Sequence, residues 1–240
     1  MTIPHENSAK YYDFVFERRF GLFYGNLTKN NLAKIKQITP SGKILDFGAG
    51  TGRISIPLAE DGFSVTAVDC SSEMLAVLKR KAEAQKVSIN TEFTLGTVTS
   101  RDFDLAIAIF TVLAYIKTTA ELTTVFEQIY TSLKPGGFFM FDLEKRAAYD
   151  QIYTNENGIV NQTRNELVKI KFQDNNSNLC DYYESATGTL PSGEAFNYTE
   201  QFVIKFWTIA EILEISNRIG FIEVQRFEFA NADYFILKRN

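Results

Sequence analysis

The chain has 240 residues, a net charge of −4 and a pI of about 5.2. Its length allows one full α/β domain with an elaboration, and its acidity argues against a surface that tracks nucleic-acid phosphates. Two cysteines and a single histidine supply neither a disulfide framework nor a metal-ligand spacing, and no run is long and apolar enough to span a membrane.

In chain order, the first feature is an aromatic leading segment. Residues 8–27 carry Tyr11, Tyr12, Phe14, Phe16, Phe20, Phe23 and Tyr24, interleaved with Asp13, Glu17, Arg18 and Arg19. The spacing partly suits an amphipathic helix. Before it, His5 lies in a polar tail where ordering is not expected.

Ile44-Leu45-Asp46-Phe47-Gly48-Ala49-Gly50-Thr51-Gly52-Arg53 reads as a buried strand that ends in an acid and turns through glycines into a helix. An acid at such a position needs a hydrogen-bonding partner or a ligand. The segment 53–63 supplies a crossover helix, and Val65-Thr66-Ala67-Val68-Asp69 reads as the next strand. Asp69 follows the glycine turn by about 20 residues, the placement of an acid that accepts ribose hydroxyls. The plainer reading of Asp69 is a cap for the helix that starts near Ser71-Ser72-Glu73. Lys79-Arg80-Lys81 at the end of that helix reads as a solvated face.

A third strand is expected over Thr91 to Leu95, followed by Gly96-Thr97-Val98. Phe103 to Phe110 is almost continuously apolar, as a central parallel strand should be. Leu133-Lys134-Pro135-Gly136-Gly137 closes a helix, and Phe138 to Asp142 opens another strand. Within 144–206, alternating runs over 166–172, 179–184 and 196–206 are separated by turn formers and read as an antiparallel meander. A helix around Ala210 to Arg218 follows. Ile222 to Phe229 and Tyr234 to Lys238 are joined too tightly for a crossover and must pair antiparallel.

Leu45-Asp46-x-Gly48-x-Gly50-Thr51-Gly52, Val68-Asp69, Phe103-Asp104-Leu105, Leu133-Lys134-Pro135-Gly136-Gly137 and the terminal hairpin occur in an order that resembles the class I S-adenosylmethionine-dependent methyltransferases. The resemblance covers roughly residues 40–143 and 207–239. Phe110 to Ile116 resembles the small-molecule branch, especially sugar-amine N,N-dimethyltransferases and more loosely glycine-type N-methyltransferases. The resemblance implies a Rossmann-like, mostly parallel seven-stranded sheet with a C-terminal antiparallel hairpin and helices on both faces. It divides the chain into an N-terminal helical lid (1–30), a cofactor-binding domain (31–143 and 207–240) and an antiparallel β insertion over the acceptor pocket (144–206).

By resemblance, S-adenosyl-L-methionine is the cofactor. Asp46, Gly48, Ala49 and Gly50 then contact it from the first turn, and Asp69 takes its ribose. Cys70 and Met74 pack on its adenine face, Thr97 and Val98 meet the adenine edge, and Phe110 lies beside the methionine portion. Many relatives carry an aspartate where this chain has Thr97. Tyr12-Asp13 matches a lid pair whose tyrosine closes over the cofactor. Tyr115 and Asp142 are the candidates for orienting the acceptor. A histidine often stands at the position matching Tyr115, so turnover here is expected to depend on positioning and not on an imidazole. The implied activity is methyl transfer to a small molecule, most readily an amine. Oxygen, sulfur or carbon acceptors and a non-catalytic cofactor-binding protein remain as alternatives. The expected setting is the cytoplasm, without metal, nucleic acid or membrane, and with a homodimer left open.

Overall fold

The computed structural model describes residues 3–94, 98–147, 166–172 and 178–240. Helices α1 (Tyr12–Phe20) and α2 (Leu22–Ile38) lead into an alternating β/α segment. That segment runs β1 (Lys43–Phe47), α3 (Ser55–Glu60), β2 (Ser64–Asp69), α4 (Ser72–Ala84), β3 (Asn90–Phe93) and β4 (Phe103–Ala108). A 3-10 turn (Val112–Tyr115), α5 (Thr119–Ser132) and β5 (Leu133–Glu144) follow. After β6 (Glu166–Phe172), β7 (Leu179–Thr189) and β8 (Ala195–Lys205), the chain closes with α6 (Ile209–Ile219), β9 (Phe221–Phe229) and β10 (Ala232–Arg239).

Seven strands form one sheet in the order β3-β2-β1-β4-β5-β10-β9. β1 pairs in parallel with both β2 and β4, so the strand order reverses between β1 and β4. Open α/β sheets bind ligands in the crevice at such a reversal. Alternation along the strands sorts side chains to two faces. Leu45, Ala106, Phe139 and Phe235 pack with Phe126 and Ile129 of α5 and with Ile212 of α6. Ile44, Leu105, Met140 and Ile236 pack with Ile35 of α2 and Leu58 of α3 on the other face. The Rossmann-like sheet with helices on both faces is therefore as the sequence predicts.

Boundaries shift in a few places. β3 stops at Phe93, short of the expected Leu95, and β5 begins at Leu133, before the Pro-Gly-Gly run. Gly137 explains how the chain passes that run: a Cβ there would lie 2.9 Å from the Lys134 carbonyl and 3.1 Å from that of Phe103. The terminal strands pair antiparallel through Ala230 and Asn231, both left-handed (φ 54° and 65°), the geometry of a tight two-residue hairpin.

β6, β7 and β8 make the separate antiparallel sheet, and β7 runs farther than the expected end at 184. Tyr115 packs against its core, beside Tyr182 and Phe202. The leading helices divide their loyalties. Val15 of α1 packs with Ala186, Phe196 and Tyr198 of the small sheet, whereas α2 belongs to the large one.

Candidate active site

The site is built at the tips of β1, β2 and β4. Gly48 N–H and Ala49 N–H donate to the Val68 carbonyl at 2.8 and 3.0 Å, which ties the first turn to the end of β2. Gly48 is left-handed, and a Cβ there would lie 2.5 Å from Val112. Gly50 differs: it is also left-handed, but its missing Cβ faces open space. Its N–H donates to Asp69 Oδ2 at 2.8 Å, and Ser71 N–H donates to Asp69 Oδ1 at 2.9 Å. Burial nevertheless pushes the Asp69 carboxyl up, with the backbone donors opposing it. The result is a costly carboxylate held beside bare glycine backbone, a cradle that suits a hydroxyl-bearing ligand.

Asp46 has a protein partner. Its Oδ2 accepts from Ser55 Oγ at 2.6 Å, and burial pushes its carboxyl up to about 6 against that bond. Met74 is buried, while Cys70 is half-buried with its thiol pushed up to about 11 by burial. Ser71 Oγ accepts from Met74 N–H as the N-cap of α4. Both capping and ribose readings of this corner therefore have a basis, with Ser71 as the cap and Asp69 bridging two loops. Val98 is buried in the core; Thr97 lies outside the described residues.

The tip of β4 is bent by two consecutive left-handed residues, Phe110 (φ 76°) and Thr111 (φ 63°). Such backbone costs of order 1–3 kcal/mol per residue and needs support. Asp142 provides it: Oδ2 accepts Phe110 N–H at 2.9 Å and Oδ1 accepts Thr111 N–H at 3.1 Å. Asp142 does not line the cavity beyond the strand tips. Expected to orient an acceptor directly, it is instead committed to two backbone amides and fixes Phe110 and Thr111, which do line that cavity. Burial pushes its carboxyl up to about 6, opposed by these two donors. Asp142→Asn should lower stability by about 1–3 kcal/mol, because an amide nitrogen must then face one backbone N–H. Chemical denaturation would measure the loss, and an unchanged midpoint and slope would refute the clamp.

Tyr115, a candidate for orienting the acceptor, lies in the 3-10 turn after β4, and its ring lines the cavity. The larger departure is His5. Far from an unordered tail, it is buried, lines the same cavity, and places Nε2 2.8 Å from Tyr115 Oη. Its ring meets Tyr12 edge-on at 5.0 Å and Phe202 at 5.1 Å between centroids. Burial lowers its pKa from 6.5 to about 4, with Glu184 pulling upward and Arg19 pushing downward.

The segment before α1 is latched at the tip of β2 as well. Ser71 Oγ donates to Glu6 Oε2 at 2.5 Å. Asp13 accepts from Thr51 Oγ1 of the glycine turn and from Lys81 Nζ of α4, both at 2.6 Å. Lys81, read as part of a solvated face, is thus a contact of α1. Tyr12 stacks on Phe16 at 4.0 Å and lines the cavity. Arg53, which ends the glycine-rich stretch and was assigned no role from sequence, stands over the rings of Tyr24 and Phe110, 4.9 Å from each centroid.

The tail should respond to pH in a definite sense. Buried His5 stays neutral, whereas an undocked tail takes up a proton below its ordinary 6.5. Docking is therefore full above that value and weakens as pH falls towards 4. The protection of amides 3–11, taken relative to intrinsic exchange at each pH, should fall between pH 7.5 and 5; constant protection would contradict this. Global stability is a poorer readout, since Asp46 and Asp142, raised to about 6, work in the opposite direction.

Comparison with known proteins agrees with this geometry. Residues 44–137 match the family model described as a methyltransferase domain. A Geobacillus sp. protein named as a putative methyltransferase is 38% identical over 126 residues. A ubiquinone biosynthesis O-methyltransferase of Coxiella burnetii is 32% identical over 123. The chain spans about half the length of these curated relatives, and each match covers 50% of the chain. A solved S-adenosylmethionine-dependent methyltransferase from Clostridium acetobutylicum superposes with a TM-score of 0.81 at 18% identity, covering 97% of this chain and 99% of that one. The sugar N-methyltransferase KedS8 from Streptoalloteichus gives 0.71 at 17%, covering 95% and 92%. The fold is thus that of the S-adenosylmethionine-dependent methyltransferases. No described helix is long and apolar enough to cross a membrane, and no metal-holding cluster occurs among the described residues.

Proposed function

We propose that this class I S-adenosylmethionine-dependent methyltransferase works in the cytoplasm on a small-molecule acceptor, an amine in preference to oxygen, sulfur or carbon nucleophiles. When bound, the cofactor supplies a methyl group carried on a positively charged sulfur. The observation that carries the amine reading is the cavity beyond β4 and β5. Tyr12, Phe16, Tyr115 and Phe202 wall it, and Glu144 adds a carboxylate. Aromatic faces and a carboxylate suit cationic groups, and they serve both a sulfonium donor and an amine that arrives protonated.

Each residue then has a task. Asp69 accepts the ribose hydroxyls while Gly50 leaves its backbone open beside them. Cys70 and Met74 wall the adenine end with Val98 packed in the core behind them, and Tyr12 and Phe110 lie towards the methyl. Asp46 acts through Ser55 by holding the first turn. Residues 1–30 act as the lid and 144–206 as the acceptor-side insertion. By excluding water and fixing two reactants in line, such a closed site can supply about 7–11 kcal/mol of the barrier.

A second reading, oxygen methylation, is favoured by the Coxiella relative named above. One experiment separates them. Methyl-labelled S-adenosylmethionine is offered with a panel of amino sugars and secondary amines and, in parallel, with phenols and catechols. Label in the amines alone is expected; label in the phenols alone overturns the amine reading. Failure of the wild-type chain to bind S-adenosylhomocysteine in calorimetry would sink methyl transfer altogether.

A further inference from the structure

We propose that His5 is the proton acceptor of this site, receiving the acceptor amine's proton through the Tyr115 hydroxyl, so that the N-terminal tail brings a base to a strand tip that carries none. The proposal rests on the amine methyltransferase reading above and adds to it a proton path.

The geometry is that of an oriented pair. His5 Nε2 lies 2.8 Å from Tyr115 Oη, and the opposite ring nitrogen, Nδ1, faces Ser8 Oγ at 3.4 Å. Ser8 is itself fixed, since its N–H donates to Glu200 Oε1 at 2.7 Å. The edge-on contacts with Tyr12 and Phe202 leave the imidazole little freedom to turn. Both His5 and Tyr115 line the cavity that Phe110 and Thr111 enter from β4, so the pair stands where an acceptor would meet the methyl.

Charge settles the direction of the proton. Burial pushes the Tyr115 phenol well up, so it holds its hydrogen at rest and serves as a relay, not as a standing base. Tyr12 and Arg19 of α1, Tyr115 of the 3-10 turn, Glu144 of β5 and Tyr182 of β7 share the cavity with His5, Glu184 of β7 acts on it through charge, and Glu200 of β8 reaches it through Ser8. Burial is the largest influence on His5 and keeps the resting ring neutral, while Glu184 favours a proton on it and Arg19 opposes one. Transfer from an ammonium to an imidazole keeps the number of buried cations constant, so desolvation weighs on both sides. It moves the positive charge off the nitrogen that meets the cationic methyl donor and nearer to the Glu184 carboxylate.

The step balances. The acceptor N–H bond breaks as Tyr115 Oη takes that proton, and the original Tyr115 proton bonds to His5 Nε2. The freed nitrogen lone pair forms the new N–C bond, and the methyl–sulfur pair stays on sulfur. The imidazolium releases its proton to water when the lid opens.

Because His5 is the chain's only histidine, nitrogen NMR of the full chain with labelled imidazole reads this residue alone. At pH 7.5 the ring should be neutral, with its proton on Nδ1 and Nε2 free to accept. A proton on Nε2, or a cationic ring at that pH, would overturn the path. On the amine panel, His5→Gln should lower kcat by about a hundredfold or more, with S-adenosylhomocysteine affinity changed less than about threefold. The alkaline rise of its pH profile should move to the acceptor's own titration. Tyr115→Phe, which keeps the tail packing, should show the same kcat loss with unchanged tail exchange. Near-wild-type kcat and pH profile in either variant would refute the proposal, and so would no methylation of any amine. Loss of cofactor binding in the wild type would fault the methyltransferase reading instead.

Discussion

Asp69→Ala is expected to weaken S-adenosylhomocysteine binding by about 1.5–3 kcal/mol, on the order of ten- to a hundredfold, the scale of lost hydrogen bonds to a charged group. The carboxylate acts twice. It offers acceptors to a ribose, and it ties Gly50 to Ser71 through bonds of 2.8 and 2.9 Å. Removing it therefore loosens the first turn against the start of α4 as well. Asp69→Asn separates the two tasks, since its carbonyl keeps one backbone acceptor while the negative charge is gone. Calorimetry should rank affinity as wild type above Asn above Ala. Ordinary affinity in the Ala variant would leave Asp69 a purely structural role at the start of α4, in keeping with the helix-cap reading that its sequence position also allowed.

The frame was legible because local signals there agree with tertiary needs. Asp46 and Asp69 each end a strand run of buried apolar residues, and Gly48 and Gly50 occupy left-handed backbone, so motif and conformation coincide. The hairpin followed from its short link alone. The site's upper half was less readable because its contacts join residues far apart in sequence. His5 meets Tyr115 across 110 positions, and a lone histidine in a polar tail carries no periodicity to mark it. Asp142 sat at the expected strand tip, but only the left-handed pair at Phe110 and Thr111 discloses that its oxygens are committed to backbone. Lys81 looked like one of three solvated cations until Asp13 was brought to it across the cleft. The one available hint was the Tyr12-Asp13 pair itself, whose acid needed a partner if the lid closed.

Arg19→Met should undock α1 from the small sheet, at a local cost of about 3–5 kcal/mol, because it strands a buried carboxylate. Arg19 and Glu184 meet at 2.9 Å with side chains only 2% and 0% exposed. Glu184 also accepts from Tyr182 Oη at 2.6 Å and Tyr198 Oη at 2.5 Å. Burial pushes the Glu184 carboxyl up, but Arg19, together with His5 and the Tyr182 hydroxyl, outweighs it and holds the group below its usual range. Methionine keeps contact with Phe16 and Phe20, over which the guanidinium stands at 5.0 and 5.9 Å, yet cannot compensate the charge. Amide exchange over Tyr12–Phe20 should accelerate strongly while β1, β4 and β5 stay protected, since those strands owe nothing to the pair. Cofactor affinity should fall with it, as Asp13 can no longer be held against Thr51. Adding Glu184→Gln should restore part of the protection, because a neutral amide can still accept from one tyrosine at far lower desolvation cost. Equal exchange in wild type and Arg19→Met would mean that apolar packing of Val15 on the small sheet suffices to hold the lid. Loss of protection throughout the large sheet would instead make the ion pair a requirement of the whole fold and not of its closure.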